Sequence, residues 1–170
     1  MTLVNDFESF IKKIALDKLE AMKTTTKEIA KKLNKIYYDL DDNTSEHMYI
    51  VGSVGRGTSI KGASDLDLLF DLPSDIYKKY DNYGENSNGQ SVLLQEVKNV
   101  LLERYPKTKI SGDGQVVVIE FTNYTVELVP GFKQNDGSFK YPDTHDKGSW
   151  KITNPMPEIK ESRKMAEDTN

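Results

Sequence analysis

The residues with the clearest chemical potential are two aspartates, Asp65 and Asp67, which alternate with leucines in the segment Asp65-Leu66-Asp67-Leu68. Side chains alternate between the two faces of a β-strand, so both carboxylates are expected on one face while Leu66 and Leu68 enter the core. Carboxylates about 7 Å apart along a strand repel each other, and each then favours a proton. A divalent cation relieves this repulsion, and oxygen-only ligands favour Mg²⁺ or Mn²⁺ over zinc. The same pattern also occurs on edge strands with two solvated aspartates, so it does not decide the function alone.

A glycine-rich loop precedes these aspartates and follows a short strand predicted over 47–51. It begins with Gly52 and Ser53, and backbone N–H groups together with a serine hydroxyl can hold a triphosphate. Gly52 and Gly57 have the spacing of a P-loop, but Thr58 stands where the phosphate-binding lysine is required. The loop is therefore not a Walker motif.

Four further polar residues are candidates for the same site. Glu127 lies in the otherwise apolar segment 126–130 and could supply a third acid, or it could simply face solvent on an alternating strand. Glu120 competes for that role. Arg56 could contact a phosphate or be a solvated loop charge, and Ser64 could cap the turn before the aspartates or help to hold a nucleotide.

Composition narrows the class of protein. The chain has 170 residues and a net charge of −4, which suits one globular domain and argues against duplex DNA as a partner. It contains no cysteine, which excludes disulfides, zinc fingers and thiol nucleophiles. No stretch approaches 18 apolar residues and the first residues carry acids, so neither a membrane span nor a signal peptide is expected. The predicted compartment is the cytoplasm.

The elements that position the candidate residues follow from hydrophobic periodicity. Apolar residues recur at helical spacing over 1–40, and Thr25-Thr26-Lys27-Glu28 fits a capping box at the start of a second helix, although one long helix is equally compatible. The remaining predicted elements are strands at 66–72, 115–122 and 126–129, a mobile connection at 77–90, a helix at 92–105, a loop at 130–150 and a terminal helix at 156–168. This order describes a small, mixed sheet with hairpins, backed by helices.

The combined motifs resemble a known superfamily. Gly52-Ser53, eleven intervening residues and Asp65-Leu66-Asp67-Leu68 resemble the signature of polymerase-β-like nucleotidyltransferases. The fuller string from Gly52 to Asp67 is similar to the cyclic GMP–AMP synthase/oligoadenylate synthase-like enzymes, the bacterial CD-NTases. Glu127-Leu128-Val129-Pro130 matches their third motif, in which many members have Asp, and the segment from Trp150 to Pro155 resembles their tryptophan-and-proline segment. The resemblance extends from the first helix to about residue 160.

The resemblance implies a fold and a domain organisation. The fold would be the α+β polymerase-β-like nucleotidyltransferase fold, an α/β sandwich in which a small mixed sheet is flanked by helices. A single catalytic domain would span 1–170, with N-terminal helices at 1–40, the catalytic sheet with its metal-binding acids at 47–130, and a loop and terminal helix at 131–170. Relatives typically continue into a helical lobe that closes the nucleotide pockets, and the resemblance implies that this C-terminal lobe is missing from the chain.

The resemblance also implies a reaction. Asp65, Asp67 and Glu127 would be the catalytic residues and would hold two Mg²⁺ (or Mn²⁺) ions, while Gly52 and Ser53 fix the phosphates of a nucleoside triphosphate. ATP, other nucleoside triphosphates or both would be joined through 2′–5′ or 3′–5′ bonds into a cyclic or linear second messenger, which serves antiphage defence in bacteria.

Two other functions stay compatible with the sequence. One is a short nucleotidyltransferase that modifies a partner protein, which the chain length suits. The other is a catalytically inactive module that binds a nucleotide or a partner. A regulatory protein partner is compatible with all three.

Overall fold

The computed structural model describes residues 3–51, 65–84 and 86–155, and it describes side chains from residue 17 onward. Within these ranges the chain forms three helices and seven strands. In chain order they are α1 Leu3–Tyr38, β1 Met48–Val51, β2 Asp65–Asp71, α2 Ser74–Asp81, α3 Gly89–Arg104, β3 Lys109–Asp113, β4 Val116–Glu120, β5 Thr125–Lys133, β6 Phe139–Asp143 and β7 Ser149–Thr153. In the described part of the chain, no helix combines the length and the apolar character that crossing a bilayer requires.

The N-terminal region is one continuous helix of 36 residues, so the capping box predicted at Thr25 is wrong. The hydroxyl of Thr26 instead donates to the carbonyl of Met22, 2.8 Å away within the same helix. The hydroxyl of Thr25 is hydrogen-bonded to the phenol of Tyr124. Tertiary packing thus overrides the local capping signal, because the helix is buried on both sides of it, at Met22 and at Ile29.

The strands form a mixed sheet in the order β1-β2-β5-β4-β3, and β6 pairs with β5 and β7. β2 and β5 are parallel, whereas the other paired strands are antiparallel. The predicted mixed sheet with hairpins is therefore confirmed. A turn at Gly114, with φ of 62°, joins β3 to β4, and the N–H of Phe121 donates to the carbonyl of Tyr124 to close the link between β4 and β5.

One face of the sheet packs against α1 and α3 and forms the main core. Leu66, Leu68 and Phe70 of β2 are at most 1% exposed on this face. They belong to the same buried cluster as Ile29 of α1 and Leu93 of α3. Each such side chain contributes about 1.5–3 kcal/mol through burial. The period-2 and helical apolar patterns predicted this layer correctly.

The mobile connection predicted over 77–90 is largely wrong. Helix α2 occupies 74–81 and buries Tyr80, and α3 already begins at Gly89. Asn88 caps α3, since its side-chain oxygen accepts a hydrogen bond from the N–H of Ser91 at 2.9 Å. The Asn- and Gly-rich composition that suggested a loop is thus partly a helix-capping signal.

The loop predicted over 130–150 is also wrong. β5 continues through Pro130 to Lys133, and β6 and β7 form an antiparallel hairpin that extends the sheet. Prolines on β5 and β6 obscured the strand pattern, since proline usually argues against a strand interior. Gly137 and Gly148, with φ of 87° and 93°, mark the two turns that delimit β6. β3 was not predicted, and the predicted helix at 156–168 lies outside the described residues.

Candidate active site

The parallel pairing of β2 with β5 brings two of the predicted acids side by side. Asp67 is directly opposite Glu127 in the register, and Asp65 is opposite Thr125. Leu66, Leu68 and Phe70 of β2 point to the helices, so Asp65 and Asp67 occupy the opposite face of the sheet, as the alternation predicted. Asp65 is exposed, whereas Asp67 and Glu127 are half-buried.

Glu127 lies in an electrostatically unfavourable place for a charged carboxylate. Partial burial raises the pKa of Glu127 above its ordinary value, and the charge of Asp67 raises it further. A hydrogen bond between the Asp67 and Glu127 carboxyl groups acts in the same direction, followed by the charges of Asp65 and Asp113. The charge repulsion predicted between Asp65 and Asp67 therefore also involves Glu127. Three acids, Asp67, Asp65 and Asp113, make it costlier for the Glu127 carboxyl group to lose its proton.

Asp113 was missed as a member of this acidic group. Asp113 is the last residue of β3 and lies on the same face of the sheet as Ser111, two positions earlier. Ser111 pairs with Val118 of β4, and Val118 pairs with Glu127 of β5. Asp113 therefore lies on the same face as Glu127. The only sequence signal at this position was the Asp-Gly turn, which gives no information about which strands become neighbours.

Glu120, the competing third acid, occupies a different position. It is opposite Thr125, so β5 separates it from β2, and Glu127 alone of the two glutamates neighbours Asp67. Its carboxylate instead lies 3.2 Å from the ammonium of Lys109 on the adjacent strand. An ion pair between two exposed residues of neighbouring strands accounts for Glu120.

The donor set around Asp67 and Glu127 suits a hard divalent cation, because it consists of carboxylate oxygens held close together against their mutual repulsion. Across 17–51, 65–84 and 86–155, however, no three Asp, Glu or His side chains converge as a ready metal-binding cluster. The Asp67 and Glu127 carboxyl groups lie side by side and share a hydrogen bond, while Asp65 adds negative charge from the same face.

The predicted phosphate-binding residues Gly52, Ser53, Arg56 and Ser64 lie outside the described residues. Both neighbours of this segment are described. β1 ends at Val51, immediately before Gly52, and β2 begins at Asp65, immediately after Ser64. Val51 is opposite Asp67 in the antiparallel register, so β1 ends beside the carboxylates.

A structural carboxylate on β6, Asp143, was not predicted. The side chain of Asp143 on β6 is only 5% exposed. One of its oxygens accepts hydrogen bonds from the N–H and Nδ1 of His145, at 3.0 and 2.6 Å. The other lies 2.7 Å from Lys151 Nζ and accepts from Gln115 at 3.2 Å. The Lys151 ammonium, followed by the His145 and Gln115 donors, holds the pKa of Asp143 well below its usual range.

Comparison with known proteins places this chain in a family. Residues 1–165 match the Second Messenger Oligonucleotide or Dinucleotide Synthetase domain. No curated protein sequence matches the chain significantly.

Solved structures resemble the fold. CdnC of E. coli MS115-1 with ATP shares 21% identity over 88% of this chain and 46% of its own, with a TM-score of 0.55. The same enzyme in complex with HORMA-deltaN gives 20% identity, 86% and 45% coverage, and a TM-score of 0.54. The Rhodothermus marinus CdnE c-UMP-AMP synthase with Apcpp and Upnpp gives 16% identity, 88% and 56% coverage, and a TM-score of 0.51.

These likenesses confirm the predicted polymerase-β-like nucleotidyltransferase fold. The chain spans about half the length of the structures it resembles.

Proposed function

Because this chain belongs to the Second Messenger Oligonucleotide or Dinucleotide Synthetase domain family of CD-NTase nucleotidyltransferases, we propose that it is the catalytic part of a metal-dependent enzyme that joins nucleoside triphosphates into a cyclic or linear oligonucleotide. The observation that carries the proposal is the in-register pairing of Asp67 with Glu127, with Asp65 on the same face. Such a group of carboxylates is costly unless a cation or a proton-transfer reaction uses it.

The proposed reaction is a nucleotidyl transfer. A ribose hydroxyl oxygen forms a bond to the α-phosphorus of a nucleoside triphosphate, the bond from that phosphorus to the oxygen bridging to the β-phosphate breaks, and pyrophosphate leaves. Asp65, Asp67 and Glu127 are the residues that would hold two divalent ions, Mg²⁺ or Mn²⁺. When bound, such ions stabilise the charge on the attacking and leaving oxygens.

The protein's own groups have distinct proposed roles. Glu127 is suited to accept the proton that leaves the attacking hydroxyl, because its raised pKa makes it a stronger base than an ordinary glutamate. Gly52 and Ser53 would fix the phosphates, and Arg56 and Ser64 would contact the nucleotide. Fixing both reactants removes the entropic cost of bringing them together.

The test is mass spectrometry of small molecules and of the protein after incubation with all four ribonucleoside triphosphates and Mg²⁺ or Mn²⁺. The double variant Asp65→Ala, Asp67→Ala is compared with Glu120→Ala, which removes an acid from the same face outside the proposed site. A cyclic or short linear oligonucleotide is expected from wild type and Glu120→Ala, and none from the double variant. Formation of the product by the double variant would contradict the assignment.

The same experiment discriminates the alternatives. A nucleotide attached to protein, without a small-molecule product, would favour a transferase that modifies a partner. Nucleotide binding without any product would favour an inactive binding module. A product that forms without added divalent ion and in the presence of EDTA would contradict the proposed metal dependence.

The biological setting is a further proposal. The product would act as a messenger in bacterial antiphage defence in the cytoplasm, with a regulatory protein as a possible partner; a HORMA protein accompanies the similar CdnC in one solved structure. Phage plating on bacteria that express the full-length protein or the Asp65→Ala, Asp67→Ala variant tests this role, and equal plating on both would contradict it.

A further inference from the structure

A small apolar cluster lies on the same face of the sheet as the carboxylates and is separate from the main core. It consists of Phe139 and Leu69, which are 0% and 2% exposed, with Tyr49 and Val51 packed against them. We refer to these four residues as the Phe139 cluster. Leu69 follows Asp67 by two positions on β2, so it faces the carboxylate side, where a solvent-facing residue would otherwise be expected.

The Phe139 cluster connects the hairpin β6–β7 to β1 and β2. In the described ladder, the backbone of the hairpin pairs with β5 at Phe132 with Lys140 and at Lys133 with Phe139. The Phe139 ring meets Tyr49 of β1 edge-to-face, with ring centroids 5.6 Å apart.

The cluster also touches the two segments that carry the proposed nucleotide site. Val51 is the cross-strand partner of Asp67 and the residue immediately before Gly52. Tyr49 is the partner of Leu69. A displacement of these side chains would therefore move the end of β1 and the part of β2 that carries Asp67.

β1 is packed on both faces, by the Phe139 cluster at Tyr49 and Val51 and by the main core at Met48 and Ile50. β1 has only four residues, and among the described strands it pairs with β2 alone. A short edge strand has few backbone hydrogen bonds to fix it, so side-chain packing on its two faces sets its position. Sites hold their geometry when a supporting layer of packed residues locks the residues that bind the ligand.

We propose that Phe139 is a positioning residue of the nucleotide site. From the hairpin β6–β7, its ring holds Val51 and Leu69 in place, and thereby keeps the Asp67 carboxylate in the arrangement that nucleotide binding requires. The role in nucleotide binding rests on the proposed function, whereas the coupling of the hairpin to β1 and β2 does not.

The first test compares Phe139→Leu with Phe132→Leu in the full-length protein. Phe132 is a matched control because it is 3% exposed and lies on the same ladder, but packs on the opposite face against Tyr77 and Trp150.

Nucleotide binding is measured by calorimetric titration with a non-hydrolysable ATP analogue and Mg²⁺, well below the melting temperatures of both variants. Phe139→Leu is expected to weaken binding about tenfold or more, while Phe132→Leu stays within about twofold of wild type. Equal weakening by both variants, or no weakening by Phe139→Leu, would overturn the positioning role.

The second test is hydrogen exchange of backbone amides without nucleotide. Phe139→Leu is expected to speed exchange in 49–51 and 65–69 about tenfold more than Phe132→Leu does, and Phe139→Met, which keeps most of the side-chain volume, is expected to restore most of the protection. Unchanged exchange in these segments would overturn the coupling. If wild type binds no nucleotide, the proposed function fails, and the exchange measurement still decides whether Phe139 supports β1 and β2.

Discussion

Two carboxylates on neighbouring strands, the half-buried Glu127 on β5 and the buried Asp143 on β6, have opposite surroundings. Asp143 accepts hydrogen bonds from His145 and Gln115 and pairs with Lys151, and these donors hold its pKa well below its usual range. Glu127 is surrounded by other acids, and burial together with their charges raises its pKa. The fold thus stabilises the charged form of Asp143 and disfavours the charged form of Glu127.

The difference separates a structural acid from a candidate active-site acid. Asp143 joins the hairpin β6–β7 to the turn before β4, so its charge is neutralised within the protein. For Glu127, the described neighbours that act on its pKa are Asp67, Asp65 and Asp113, all of the same sign. A carboxylate in such a group is suited to bind a cation or to accept a proton, and the proposed reaction assigns both roles to Glu127.

The largest expected effect is on catalysis. Glu127→Gln keeps the shape of the side chain but removes the charge and the proton acceptor. We expect nucleotide transfer to fall by roughly 10²- to 10³-fold, the range seen when one electrostatic group of an active site is removed. Glu120→Gln, with the same chemical change on the same face, should retain activity within about threefold. Rates of pyrophosphate release measure both, and equal losses would remove the distinction between the two glutamates.

Next in size is the effect of Asp143→Asn on stability. The substitution removes the charge that pairs with Lys151 and His145, and the melting temperature at pH 7 should fall by several degrees. Because the folded-state pKa of Asp143 is lowered, its contribution is complete above the unfolded value of about 3.9 and is lost as the pH falls below it. The wild-type and Asp143→Asn melting curves should therefore converge in acid. Asp146→Asn, an exposed acid in the following turn, is the control; a similar loss there would show that general charge, not the network, is responsible.

A smaller effect should come from divalent cations. Mn²⁺ at about ten times its Kd should stabilise wild type by about 1.4 kcal/mol, because only the folded chain brings the acids together. Glu127→Gln should show little of this gain, whereas Asp143→Asn should show nearly all of it. Thermal melts with and without Mn²⁺ measure the shift. If Asp143→Asn lost the response and Glu127→Gln kept it, the assignment of the two carboxylates would be reversed.

The smallest expected effect is a gain in the folding stability of Glu127→Gln. Its sign is opposite to that of Asp143→Asn, which is expected to lose stability. Because the folded-state pKa of Glu127 is raised, wild type loses stability as the pH rises above the ordinary glutamate value, through the folded pKa. Glu127→Gln should therefore be more stable at neutral pH by roughly 0.5 kcal/mol, a small gain since water screens this partly exposed group. Urea unfolding at pH 4 and pH 7.5 tests this, and a neutral-pH loss of stability would contradict the electrostatic account.

Much of the site could be predicted from local patterns. The alternation of Asp65 and Asp67 with buried leucines has the period of a strand, and the structure shows it. Where tertiary contacts compete with a local signal, the prediction failed. The capping box at Thr25 is one case, because the Thr25 and Thr26 hydroxyls found other partners within a continuous helix.

The sequence by itself determined the face on which Asp65 and Asp67 lie, the helical layer behind them and the family to which the chain belongs, because each depends on short-range periodicity or on contiguous motifs. Only the tertiary structure decided that Glu127, and not Glu120, neighbours Asp67, and that Phe139 and Asp143 tie the hairpin β6–β7 to the rest of the sheet. These depend on the register between strands that are far apart in the chain. Strand register is set by the packing of the whole sheet, which no local pattern encodes.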